Sequence, residues 1–161
     1  MTAPPIRPAE PGDRAEIERL LSAAKEFRAE EVACALELFD ESCAGGDGDE
    51  EYHVLCAEAE GGGIAGFACW GKTPLTRATA DLYWIATDPA RRRSGVGRRL
   101  LRQVEQALAE RAIALLVAET SSLPSYAHAR AFYEKEGFAE ESRIRDFYAP
   151  GDDRVIYCKR L

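Results

Sequence analysis

Residues 95–111 read as one amphipathic helix. Val96, Leu100, Leu101, Val104 and Leu108 recur at helical spacing, with mostly charged or polar residues between them. Before this helix, residues 78–87 read as a strand that stops at Asp88-Pro89. After it, residues 113–119 are apolar until Glu119. A strand, a helix and a second strand in that succession predict a β-α-β unit, with the helix laid on a sheet. Every other element has to be built around that unit.

The remaining elements supply antiparallel strands. Ile6-Arg7-Pro8 reads as a short first strand. Helices are expected over residues 12–24 (Ile17, Leu20, Leu21) and 29–41 (Val32, Ala35, Leu36, Phe39). An acidic, glycine-rich loop follows at 44–51 and lacks the ligand spacing of an EF-hand. Residues 52–58 and 64–70 read as strands joined by a turn at Glu60-Gly61-Gly62-Gly63. Residues 125–136 read as a helix capped by Gly137. Residues 138–148 and 154–159 form a last hairpin around Ala149-Pro150-Gly151-Asp152-Asp153. The order is β-α-α-β-β-β-α-β-α-β-β in a single domain over residues 1–161, with no repeat and no long linker. The fold class is α/β (α+β), a mixed and mostly antiparallel sheet of about seven strands flanked by helices.

Composition narrows the function. The chain has 161 residues, 46% of them apolar, and a net charge of −7. That acidity argues against general nucleic-acid or anionic-membrane binding. Cys34, Cys43, Cys56, Cys69 and Cys158 form no CxxC pair, so neither a disulfide framework nor a metal site is expected. His53 and Cys56 lie three apart on a strand and face opposite ways. The start has no signal-peptide core, and the longest apolar run, 112–118, is too short to cross a bilayer. The expected location is the cytoplasm.

Against this acidic background, five arginines stand within nine residues: Arg91, Arg92, Arg93, Arg98 and Arg99. Leaving them out leaves 16 basic residues against 28 acidic ones. They surround Gly95 and Gly97 where a strand gives way to the long helix. Glycines allow close backbone approach, and a helix start offers unpaired N–H groups and a positive dipole end. The combination suits a phosphate or pyrophosphate. The same residues could also be a glycine-loosened helix start with solvated arginines. No Gly-Lys-Ser/Thr is present for a Walker A loop, and Leu100 stands where a dinucleotide motif needs its third glycine.

Arg92-Arg93-Ser94-Gly95-Val96-Gly97 resembles the Arg/Gln-x-x-Gly-x-Gly/Ala motif of the GNAT N-acetyltransferases. Ile85-Ala86-Thr87-Asp88-Pro89 resembles the family's strand entry, and Ala131-Phe132-Tyr133-Glu134-Lys135-Glu136-Gly137-Phe138 its "LYEKLGF" segment. The resemblance is strongest from Asp81 to Phe138, and the element order is the family's. It implies an acetyl-CoA-dependent N-acetyltransferase with a GNAT-like fold. It further implies that the backbone of Arg92, Arg93, Ser94, Gly95, Val96, Gly97 and Arg98 holds the CoA pyrophosphate. Ile85, Ala86 and Thr87 would pair with the pantetheine arm, and a backbone N–H near Ile85 would polarise the thioester carbonyl.

By the same resemblance, Tyr133 is the general acid, and Asp81 stands where some members carry a catalytic Glu. Glu119 is the competing base. No cysteine falls at a motif position, so acetyl passes directly to a primary amine in a ternary complex. The chain departs from the family at Tyr126, where many members have an Asn that contacts the cofactor. Acceptor-side candidates by location are Phe27, Glu30, Glu31, Trp70, Trp84 and Tyr148. Arg145-Asp146-Phe147-Tyr148 resembles the last hairpin of peptide and ribosomal-protein acetyltransferases. The partner is then an amine-bearing small molecule or peptide, and the last hairpin could pair two copies into a homodimer. The alternative is a non-catalytic acyl-CoA-binding or regulatory module on the same fold.

Overall fold

The computed structural model describes residues 3–45 and 51–161, so most of the acidic glycine-rich loop read at 44–51 lies outside the described residues. Seven strands form one sheet: β1 (Ile6–Pro8), β2 (His53–Glu58), β3 (Ile64–Lys72), β4 (Thr79–Thr87), β5 (Leu115–Ser121), β6 (Ala139–Ala149) and β7 (Asp152–Arg160). Four helices flank it: α1 (Arg14–Ala23), α2 (Ala29–Ala44), α3 (Val96–Glu110) and α4 (Ala127–Lys135). The strand order is β1-β2-β3-β4-β5-β7-β6. The β4–β5 pair is parallel, as the β-α-β reading required, and all other pairs are antiparallel.

The sheet separates two apolar clusters. On one side the α3 stripe of Val96, Leu100, Leu101, Val104 and Leu108 is fully included, packed with Leu82, Leu116, Ala118, Val155 and Tyr157. On the other, Ile17, Leu20 and Leu21 of α1 and Ala35, Leu36 and Phe39 of α2 cover Phe67, Cys69 and Ala86. Burying each large side chain of this kind stabilises the fold by about 1.5–3 kcal/mol. Cys56, Cys69 and Cys158 are buried, Cys43 is partly buried and Cys34 is exposed. His53 stacks on Trp70 of the first cluster while Cys56 belongs to the second, so the two do face opposite ways.

Several boundaries differ from the sequence reading, each for a local reason. β5 starts at Leu115 because residues 111–113 finish α3: Ile113 N–H returns to the Leu108 carbonyl and Ala112 takes a left-handed φ of 55°. Pro11–Asp13 and Pro124–Tyr126 form 3-10 turns ahead of α1 and α4, and each begins with a proline. No helix among the described residues is long and apolar enough to cross a membrane.

Candidate active site

The site begins with an irregularity in β4. Cys69 pairs with Trp84 and Trp70 with Leu82, so Tyr83 is an extra residue with no partner on β3. A bulge of this kind bends a strand and reverses which face its later side chains occupy. Before it, Ala80 and Leu82 pack toward α3; after it, Ala86 joins the α1/α2 cluster and Ile85 packs on the α3 side. The pairing of β4 with β5 stops at the same place, its last rung being Leu82 with Ala118. Beyond that rung the two strands part, and residues 83–87 keep β3 on one edge and have no strand on the other. A cleft of about 1400 Å³ opens there.

The arginine–glycine loop closes one end of the cleft. Asp88 caps the Pro89–Arg91 turn by accepting from Ala90 N–H at 3.0 Å, and Ser94 Oγ donates to the Arg91 carbonyl at 2.6 Å. Arg93 (φ 65°) and Gly95 (φ 80°) are left-handed, the alternation that turns successive N–H groups toward one point. The first bond into α3 is Arg99 N–H to the Gly95 carbonyl at 3.1 Å. Among the described residues, the N–H groups from Arg92 to Arg98 find no acceptor in the protein. They form an open anion cradle that fits a pyrophosphate. Gly97 lets α3 approach Phe132, whose Cε2 lies 3.3 Å from where a Cβ would stand. Val96 is buried in the core beneath the loop. Arg92 pairs with Glu26 at 2.5 Å and Arg98 with Glu136 at 2.9 Å.

Tyr133 is the buried residue of α4. It is 7% exposed and lines the cleft. Its ring packs on Phe132, Phe138 and Tyr157 at centroid distances of 5.8, 5.3 and 5.6 Å. Its hydroxyl makes no hydrogen bond among the described residues. Burial pushes its pKa above the ordinary phenol value, so it stays protonated at neutral pH. Asp81 is half-buried one residue before the last β4–β5 rung. Burial raises its pKa, the nearby Glu119 adds to the shift, and a 2.6 Å hydrogen bond from Thr73 Oγ1 and the charge of Arg154 oppose it. Glu119 is exposed at the end of β5 and ion-paired with Arg154. The structure thus brings both carboxylates and Tyr133 to one cleft but leaves only Asp81 without a cationic partner.

The acceptor-side candidates divide. Phe27, Glu31, Trp84 and Tyr148 line the cleft. Trp70 does not: two residues after Ala68 on β3, it shares that residue's face in the α3 cluster, 3% exposed between His53 and Arg111. Glu30 is exposed and outside the cleft lining. Tyr126, set apart in the sequence for replacing an Asn, donates to the Glu26 carbonyl at 3.1 Å and to Glu31 Oε1 at 2.9 Å. Sequence reasoning missed Thr73, which meets Asp81 across the β3–β4 turn, and Glu26, His128 and Arg154, whose partners lie far away in the chain and leave no local pattern. Burial holds the Cys56 and Cys69 thiols at about 12, which makes them poor nucleophiles.

Comparison with known proteins agrees with this arrangement. The family model described as "Acetyltransferase (GNAT) domain" matches residues 50–140. A GNAT-family protein of Desulfovibrio desulfuricans superposes with a TM-score of 0.89 at 40% identity, covering 98% of this chain and 99% of that one. The [ribosomal protein bS18]-alanine N-acetyltransferase of Escherichia coli is 37% identical over 95 residues, 59% of this chain and 61% of the relative's length. Its structure superposes with a TM-score of 0.76 at 26% identity, covering 98% of this chain and 93% of that one. The Salmonella typhimurium protein yncA, whose structure contains its cofactor acetyl-CoA, superposes at 0.76 with 20% identity over 99% of this chain and 95% of that one, a likeness of fold.

Proposed function

The chain belongs to the GNAT acetyltransferase family, and from that premise we propose that it transfers an acetyl group from acetyl-CoA to a primary amine by direct attack in a ternary complex. One observation carries the reading. The β4–β5 gap ends at one side in an N–H cradle, and a buried phenol and a desolvated carboxylate line the same cleft.

Acetyl-CoA supplies the acyl group and a thiolate leaving group. The N–H groups from Arg92 to Arg98 hold the pyrophosphate, and the arginines add countercharge. The free edge of β4 at Ile85, Ala86 and Thr87 pairs with the pantetheine arm and places an N–H at the thioester oxygen. Asp81 removes the proton that the amine must lose, helped by its raised pKa. Glu119 is the weaker candidate because Arg154 holds it. Tyr133 gives its proton to the departing sulfur.

The acceptor enters past Phe27, Trp84 and Tyr148. The E. coli relative acts on a ribosomal-protein alanine, so a peptide amino terminus is the first acceptor to test. The test is thiol release from acetyl-CoA with a panel of alanyl peptides, polyamines and amino sugars. Turnover of one class is expected. Tight CoA binding with no thiol release on any amine would refute the enzyme reading and leave the acyl-CoA-binding module.

A further inference from the structure

The connection between α1 and α2 crosses the mouth of the cleft, and it is fastened on both banks. On the β4 bank, Glu26 Oε1 meets Arg92 Nη2 at 2.5 Å, and the Phe27 ring stands edge-on to Trp84 at 5.3 Å. On the α4 bank, the same Glu26 oxygen lies 3.0 Å from His128 Nε2. There too, the Tyr126 hydroxyl bonds the Glu26 carbonyl and the Glu31 carboxylate. The Glu26 side chain is only 10% exposed although it sits in a connection between helices. Arg92 follows β4 and His128 follows β5, so a single carboxylate ties together the two walls that part beyond Leu82. Glu26 engages the guanidinium of Arg92 and none of the backbone N–H groups, so the anion cradle stays open while the tie is made.

We propose that the α1–α2 connection is a clasp over the cofactor channel, with Glu26 and Tyr126 as positioning residues that retain bound CoA. The proposal rests on the acetyltransferase reading. It gives the departure at Tyr126 a role: the side chain there fastens the clasp and the first turn of α2 to the turn before α4. Since Glu26 takes the Arg92 side chain and leaves the backbone N–H groups free, loosening the clasp opens an exit without removing a backbone contact to phosphate.

The test is stopped-flow binding of CoA to the full chain, with release measured by chasing with excess acetyl-CoA. Tyr126→Phe keeps the ring, and Glu26→Gln keeps the shape while removing the charge. Each is expected to speed release about tenfold, the effect of losing one charge-assisted hydrogen bond, and to leave the association rate within about twofold. Unchanged release in both variants overturns the proposal. Faster association with unchanged release also overturns it, since Glu26 would then be a plug. If the wild-type chain does not bind CoA, the acetyltransferase reading fails and the clasp with it. Wild-type binding with unaltered variant release sinks the clasp alone.

Discussion

Replacing Tyr133 by Phe isolates one oxygen atom. The ring stays, and so do its contacts with Phe132, Phe138 and Tyr157 at 5.3 to 5.8 Å. The hydroxyl has no protein partner to orphan, so folding should change by less than about 1 kcal/mol, or less than about 4 °C in melting midpoint. What disappears is the hydroxyl of a residue that lines the cleft. Positioned general acids contribute about 10²–10⁴ in rate, so kcat should fall at least about 100-fold, equivalent to about 2.7 kcal/mol of barrier. The hydroxyl takes no part in the N–H cradle, so the Kd for acetyl-CoA should stay within about twofold. The assay pairs steady-state thiol release with direct titration of cofactor. A kcat within about threefold of wild type, or equal losses in kcat and cofactor affinity, would refute the acid role.

Asp81 is active as a base only when deprotonated, and its pKa is raised, so kcat/KM should fall with decreasing pH through a value above the ordinary carboxylate range. Asp81→Asn should remove that limb and most of the rate, whereas Glu119→Gln should cost less than about tenfold, since Arg154 already occupies that carboxylate. The sign for stability is opposite. A folded-state pKa above the unfolded value favours the protonated form, so the contribution of Asp81 is present at low pH and lost as pH rises through the raised value. Asp81→Asn, which still accepts from Thr73, should therefore melt higher than wild type at neutral pH. Gly66→Ala should destabilise the fold by about 1–3 kcal/mol in urea titration, because its Cβ would stand 2.8 Å from the Ala86 carbonyl and 3.0 Å from Val96 Cγ1.

Sequence reading succeeded where structure repeats or punctuates. The α3 stripe is periodic, the β-α-β succession follows from it, and the arginine–glycine loop sits where a strand must become a helix. It failed where geometry depends on distant register. Residues 82–86 are an unbroken apolar run, with no glycine or proline to mark the bulge at Tyr83. The bulge exists only relative to β3; Trp70, a cleft candidate by location, is a core residue beside Ala68 in the α3 cluster. Glu26 meets a partner 66 residues away, and Arg154 meets one 35 residues away. Each pairing decides whether a carboxylate is free to react, and neither is encoded locally.

The bulge also reconciles two demands on the base. A carboxylate with a raised pKa has to be withdrawn from water, yet it must still reach an amine arriving from outside. In a continuous β4–β5 ladder Asp81 would be withdrawn and unreachable; on a fully parted strand it would be reachable and solvated. It stands one residue before the last rung, with Val117 beside it on β5 and the opening immediately beyond. Half-buried there, it lines the same cleft as Tyr133. The proposed acid and base are thus separated by environment, a phenol packed among aromatic rings and a carboxylate one residue before the last hydrogen-bonded rung. Moving the extra residue along β4 would shift the end of pairing and the face alternation together, so the cofactor channel and the base are set by one backbone feature.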